Sequence, residues 1–574
     1  MSPSAAAPVP GARLALLFLL GCAPSKVLVL PTDDSATDDP ATDPTAAVYD
    51  LDHLLQVDLE TAEEDWDTLR AQTRTLADTL MAEDCQEVPF RSPFTWFEAA
   101  VSIDGQRFEQ IDLRKKGFLG SMSEDKPALK LDLVEHDPDA SFSGVERLTL
   151  NNAVSDPALV RQCLAFGFFA DAGVAAPRCS LARVSVNGED LGIYVNVEPV
   201  RDELLERHFG SAAGNLYEGT LADFRPGWTA TLEKKNNEEQ TDRSDIDALV
   251  AAAAVEDDAL MDALDGVLDL DAFFTFWAAE VLIGHGDGYT GNTNNFYVYA
   301  DPADGRFHFL PWGVDEVLYT AAEGEDQEEP EILSVYASGV LANRLYGIPE
   351  GRERYLERVG GLLDGAWDPA VFTDRSDRMA ALIEPALSRP GWRDVEAAIE
   401  DLHEGLEQRG EVIAEQVAAG GVEWPGELRE SYCFVPWGSA DAEFSTTWGS
   451  LYTDDWFGTG ASTLNLDLDE VFWQVEGGAL AGESEGAAYV YLPAYVSDTE
   501  AVLLFFAFDP DRVAPGEVEM DLIESYGAVL YADFSRSEEF EYVAYVMGTL
   551  TLEEAGTGEG DPVTGSFEGQ FLSF

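Results

Sequence analysis

From residue 94 to residue 111, apolar and polar positions alternate on either side of Asp104-Gly105, which predicts two strands joined by a tight turn. The same period of two returns at 127–133, 147–152, 179–186 and 192–197, the last two around Asn187-Gly188. Between them, 156–170 carries the longer apolar period of a helix. Helical periods follow at 200–208, 245–254, 258–267 and 271–283, the last almost wholly apolar. Two alternating runs, 295–299 and 306–310, flank a turn of Pro, Asp and Gly and predict another hairpin. From 333 to 418 the pattern is largely helical, with Pro349, Gly360 and Pro390 as expected breaks. Beyond 423 the composition shifts to aromatic and β-branched residues in short alternating segments. That shift predicts an all-β, sandwich-like domain over 434–574. The expected fold class is α+β over 48–422, followed by this β domain.

The N-terminal residues carry no such period. Arg13, the short apolar run 14–20 and Leu19-Leu20-Gly21-Cys22 resemble a bacterial lipoprotein signal, with Cys22 as the lipidated residue after cleavage of 1–21. Residues 22–47 are rich in Asp, Thr and Pro and read as a disordered acidic tether. The expected location is therefore that of an exported bacterial lipoprotein, anchored to a membrane through Cys22 at the outer membrane or cell surface.

Charge and cysteines narrow the chemistry. The chain has 34 basic and 109 acidic residues, a net charge of −75, which argues against nucleic acid as a partner. Four cysteines beyond Cys22, namely Cys85, Cys163, Cys179 and Cys433, allow two bridges in any of three pairings. They form no C-x-x-C pair, which argues against a zinc site, and no G-x-S-x-G, H-E-x-x-H or complete Walker A motif occurs. Of only seven lysines, four fall within 115–130, where an ammonium suits phosphate.

The candidate chemistry lies in two stretches. In the first, Arg114, a glycine-containing loop at 117–121 and Lys126 precede the strand that carries Lys130, and Glu198 follows the 179–197 hairpin at a distance where it is expected to pair with Lys130. In the second, His285-x-Asp287 and Asn292 have the spacing of a kinase catalytic loop, and Asp315 follows a strand as a metal-binding aspartate does.

Taken in order, the segments RKKGFLGS, KPALKL, RLTLNN, VNGEDLGIYVNVEPV, GNLYEGT, HGDGYTGNTNNFYVY and PWGVDEV resemble the CotH kinase-like family. The resemblance implies a divergent, two-lobed protein-kinase-like fold. It implies ATP and Mg²⁺ or Mn²⁺ as cofactors, and a Ser/Thr hydroxyl of a protein substrate as acceptor. Carried over, Lys130 would pair with ATP phosphates, Glu198 would position it, and Lys126 and Arg114 would lie nearby. Asp287 would hold the catalytic-loop position, with Asp315, Asn292 and Asn295 around the metal. Some members of the family act instead as surface invasins, so the alternative expectation is a catalytically weak surface lipoprotein that binds a partner or serves as a scaffold. This chain has Trp312-Gly313-Val314-Asp315 where the family often has W-D-x-D, and GFLGS where many members have G-N-S-S.

Overall fold

Asp104 and Gly105 both take positive φ (49° and 83°), as do Asn187 and Gly188 (51° and 84°), the turn geometry that lets short hairpins follow the strand twist. The strands they join belong to one closed barrel in the computed structural model, which describes residues 43–319, 333–468, 471–484, 486–522, 525–536 and 540–573. The signal segment, Cys22 and the tether as far as residue 42 lie outside the described residues. The chain expected as the end of the tether already forms a 3-10 turn, Pro44–Tyr49, in which Val48 is buried.

The barrel has seven strands: β1 (Leu54–Glu60), β2 (Phe97–Ile103), β3 (Gln106–Lys115), β4 (Leu129–Asp132), β5 (Arg147–Asn151), β6 (Cys179–Val186) and β7 (Glu189–Val197). Their order is β1-β2-β3-β4-β5-β7-β6, closed by a parallel pairing of β6 with β1. Alternation decides which side chains fill it: Ile111, Leu113, Leu129 and Leu131 point to the core, and Arg114 and Lys130, opposite one another in register, share the outer face.

A second sheet has the order β11-β10-β8-β9, from β8 (Leu216–Gly219), β9 (Glu233–Lys234), β10 (Phe296–Asp301) and β11 (Arg306–Pro311). It packs with the helices around one large core centred on the helix Leu270–Ile283, in which Phe273, Phe276 and Trp277 are buried. Asp269 caps this helix by accepting from Ala272 N, and Gly284, at φ 74°, ends it. Pro349 and Pro390 mark helix starts, in Pro349–Asp364 and Arg389–Ala418. Gly360 does not break the chain as expected; it sits inside Pro349–Asp364 with open space beside it.

The C-terminal part is all β, but it is not a pair of stacked sheets. Ten strands from Val435 to Ser573 form one antiparallel sheet that wraps a single core including Phe444, Leu466, Leu504 and Phe567. Two disulfides, Cys163–Cys179 and Cys85–Cys433, select one of the three possible pairings. The second ties the segment before β2 to the start of the C-terminal sheet, beside a small cluster of Leu76, Leu80, Trp228, Tyr432 and Phe434. None of the described helices is long and apolar enough to cross a membrane.

Candidate active site

The core helix Leu270–Ile283 aims the loop that follows it. Its last carbonyls are satisfied by buried Arg409, whose Nη2 donates to Val281 O (2.7 Å) and Nε to Leu282 O (2.8 Å). Buried Glu280 then folds the loop back, accepting from Tyr289 N (3.0 Å), Thr290 N (2.9 Å) and Thr290 Oγ1 (2.7 Å). Burial pushes the Glu280 carboxyl up to about 8. One helical turn, Tyr289–Asn292, precedes Thr293 and Asn295, which both take left-handed φ (48° and 49°). This chain path brings three side-chain amides onto Asp287. Asn292 Nδ2 donates to Oδ1 (2.7 Å), Asn295 Nδ2 to Oδ2 (2.6 Å), and Asn294 Nδ2 to Oδ2 (3.1 Å). Burial raises the Asp287 pKa and the amides oppose that rise. His285 is buried and donates from Nε2 to Trp312 O (3.0 Å); burial lowers its pKa to about 4, so it is neutral and ties the loop to the end of β11.

A cleft of about 660 Å³ separates this loop from the outer face of β3 and β4. Arg114, Lys116 and Lys130 line one side; Asp287, Asn295 and Asp315 line the other. Lys116 donates to Asn151 Oδ1 and lies 5.6 Å from the Trp312 ring centroid. Desolvation lowers Lys130 to about 7, against the pull of Glu218, and lowers Lys116 to about 8, against the pull of Asp315. Burial raises Asp315, and Lys116 opposes that rise. Glu218, on β8, would be raised by burial, but Lys235 (3.0 Å) and Lys130 hold its carboxyl below the ordinary value. Asn152 Nδ2 donates to Ser121 O (3.1 Å) and Lys126 O (2.8 Å), pinning the end of the glycine-containing loop and the segment after it beside the cleft.

Lys130, Arg114, Asp287, Asn295 and Asp315 thus line one cleft. Three expected positions do not. Glu198 does not pair with Lys130: it is buried at the end of β7, where it accepts from Arg178 Nη2 (2.7 Å) and from Arg207. The carboxylate that acts on Lys130 is Glu218. Lys126 turns away from the cleft, its Nζ lying 5.2 Å from the Tyr194 ring centroid, and Lys116 stands in the cleft instead. Asn292 has both ends of its amide engaged: Nδ2 on Asp287, and Oδ1 accepting from Tyr432 Oη (3.0 Å). The left-handed residues after it bring Asn294 and Asn295, not Asn292, to the cleft wall. Asn294 was legible as part of the same asparagine run, and Glu218 as the lone acid in GNLYEGT; nothing in the sequence pattern marked Tyr432.

Gly313 accounts for the missing carboxylate. Its φ is 54°, and a Cβ placed there would lie 2.4 Å from Asn295 Oδ1. The Asn295 amide fills the space that a side chain at 313 needs. The side-chain oxygens of Asn295 and Asp315, which line the cleft, are hard donors of the kind that Mg²⁺ or Mn²⁺ takes, whereas Asn294 Oδ1 already accepts from Leu221 N (3.2 Å). A further cluster, Asp269, Asp304 and His308, is already threaded by the Arg306 guanidinium, with Nε 3.0 Å from Asp304 and Nη2 3.2 Å from Asp269.

The fold and cleft define an α+β protein in which strand-borne cations face a carboxylate-and-amide loop. The sequence profile of the CotH kinase protein family matches residues 113–416, more than half of the chain, and the protein belongs to this family. It is similar to the inner spore coat protein H of Bacillus subtilis (strain 168), at 23% identity over 226 residues, covering 38% of this chain and 61% of the relative. It is also similar to an inner spore coat protein H-like protein of the same organism, at 28% identity over 215 residues, with the same coverage. The chain thus spans about 61% of the length of both relatives.

Proposed function

We propose that this protein is an exported, metal-dependent atypical protein kinase that transfers the ATP γ-phosphate to Ser or Thr hydroxyls of a protein substrate. The observation that carries the reading is the convergence of Lys130, Asp287 and Asp315 on one cleft from three separate parts of the chain. The strand-rich part supplies the cations and the helical part the acids, a division of labour like that of the two kinase lobes.

Lys130 and Lys116 would hold the phosphates from the barrel side. Asp315, with the amide oxygen of Asn295, would hold Mg²⁺ or Mn²⁺, and the metal when bound supplies positive charge against the phosphate oxygens. Asp287 orients the acceptor hydroxyl and takes its proton. The three amides fix the carboxylate in place, and phosphoryl transfer depends chiefly on such positioning and charge. The relatives' name as spore coat proteins and the Cys22 lipobox support a surface or coat location, with the lipid at Cys22 as the anchor.

The second reading, a kinase-like surface protein that binds a partner without turnover, is favoured by one observation. Gly313 removes a carboxylate that the family often places beside the metal, and Asn295 fills its space. Purified protein with γ-labelled ATP and either Mg²⁺ or Mn²⁺ separates the two. The kinase reading expects label on Ser or Thr, lost by a factor of about a hundred or more in Asp287→Ala, the usual weight of a positioned base. No label with either metal, in protein that is folded, leaves the binding reading.

A further inference from the structure

Arg74 is not explained by the phosphate site described so far. It lies between the helix Glu63–Ala71 and β2, outside the matched span 113–416. Its exposure is 7%, yet it lines the cleft. Among the described residues it makes no hydrogen bond and no ion pair: its Nε is buried without a partner, and Glu233 acts on it only from beyond contact. Its guanidinium rests on the Phe118 ring, 4.8 Å from the centroid. A buried donor left without a partner, as Arg74 Nε is, is costly, and a ligand entering the cleft would complete it.

Arg114 repeats the arrangement. Its Nε is likewise buried without a partner, its guanidinium lies 4.8 Å from the Trp96 centroid, and Glu233 again acts on it at longer range. Both planar groups are thus held against aromatic faces in the same cleft, which limits the ordering needed to grip an anion with two parallel hydrogen bonds. Lys130 stands opposite Arg114 in the β3–β4 register and also makes no hydrogen bond or ion pair among the described residues. Three such cations around one space suit a multiply charged anion better than a single carboxylate. The segment that carries Arg74 is fixed by Leu76 and Leu80 in their apolar cluster and by the Cys85–Cys433 bridge.

We propose that Arg74 and Arg114 form a further anion subsite of this cleft, which grips a phosphate group of the bound ligand. The assignment rests on the kinase reading for the identity of the anion as phosphate, but binding itself does not require transfer. Two sources share that chemistry: the polyphosphate of the nucleotide, and a phosphate already present on the acceptor polypeptide.

The test is calorimetric titration of the full mature chain with inorganic tripolyphosphate, with ATP plus Mg²⁺, and with a phosphoserine peptide, in wild type, Arg74→Met and Arg114→Met. Each variant should lose at least about tenfold in affinity for tripolyphosphate and ATP, the weight of charge-assisted hydrogen bonds. A loss confined to the phosphoserine peptide places the phosphate on the acceptor and still supports the subsite. The ligand-free Arg74→Met protein should melt at the wild-type temperature or above, because an unpaired buried charge has been removed. Arg183→Met, which removes equal charge at an exposed pair with Asp190, should leave affinity unchanged. Unchanged affinity for all three probes in both variants overturns the subsite, and so does a drop in the ligand-free melting temperature of Arg74→Met with affinity intact. Arg74-dependent tripolyphosphate binding without any phosphate transfer overturns the kinase reading and leaves the subsite standing.

Discussion

Lys130 and Lys116 lose hydration in the cleft, and their pKa values fall to about 7 and about 8. Asp287 and Asp315 are moved the other way, upward, by the same burial. The two shifts narrow the pH range in which the site has its working charges. The carboxylates must be ionised, so on acidification they fail sooner than ordinary aspartates. The lysines must be protonated, so on alkalinisation they fail sooner than ordinary lysines. On the proposed kinase reading, affinity for metal-bound ATP should therefore peak near neutrality. At pH 8, binding should take up about one proton, because an anion favours charged Lys130. Calorimetry in buffers of different ionisation enthalpy reads this uptake; release of protons at pH 8 would contradict it. Gly313→Asp tests the packing around the missing carboxylate. It forces the new side chain into the Asn295 amide at a left-handed backbone position, so we expect a stability loss of about 1–3 kcal/mol in urea unfolding, with no gain in metal affinity. At this scale the sequence was partly legible. Asp287 and Asp315 stood at recognisable spacings. The failure of Glu198 depended on which way β7 ends against Arg178 and Arg207, a contact between residues far apart in the chain.

The element that sets the site is the turn from Gly284 to Asn295, and it is held from both sides. Glu280 binds its backbone from within, and a Cβ on Gly288 would lie 2.3 Å from Glu280 Oε1, so the turn closes only with glycine there. From outside, Tyr432 Oη donates its proton between the main-chain carbonyl and Oδ1 of Asn292 and meets Thr293 Oγ1 (2.8 Å), which holds Asn292 where its Nδ2 reaches Asp287. Tyr432 lies beyond the family-matched span, next to the disulfide at Cys433, so the start of the C-terminal sheet acts as a support for the loop. On the proposed kinase reading, Tyr432→Phe should lower kcat by about tenfold while leaving the KM for ATP unchanged, the size usual for an outer positioning partner. Steady-state kinetics separates the two constants; a shift in KM alone would assign Tyr432 to nucleotide binding instead. Hairpins and helices were legible because their turns and periods are local. The break expected at Gly360 was not real: the apolar face of Pro349–Asp364 continues through Gly360 and Gly361, and each helical glycine costs only about 1 kcal/mol.

For the molecule as a whole, strand alternation could not distinguish two stacked sheets from one sheet wrapped on itself, because a single pairing between strands distant in sequence, Val435–Thr447 with Pro562–Ser573, joins the two runs of hairpins into one sheet. The same long range governs the link between the two β regions. Cys85 and Cys433 are 348 residues apart, and the stretch 421–431 between the last helix and Tyr432 has no buried residue. Limited proteolysis there should leave one band without reductant and two with it; two bands without reductant would contradict the bridge. The claim on which the account rests is that the barrel and the helical body close one cleft around a metal-bound nucleotide, with Lys130 on one side and Asp315 on the other. The most direct measurement is titration of the folded protein with ATP in the presence of Mn²⁺, with EDTA, and in Lys130→Met and Asp315→Ala. The account predicts one site per chain, lost with EDTA and weakened at least about tenfold in either variant. ATP binding that is absent in the wild type, or indifferent to both metal and Asp315, would contradict it.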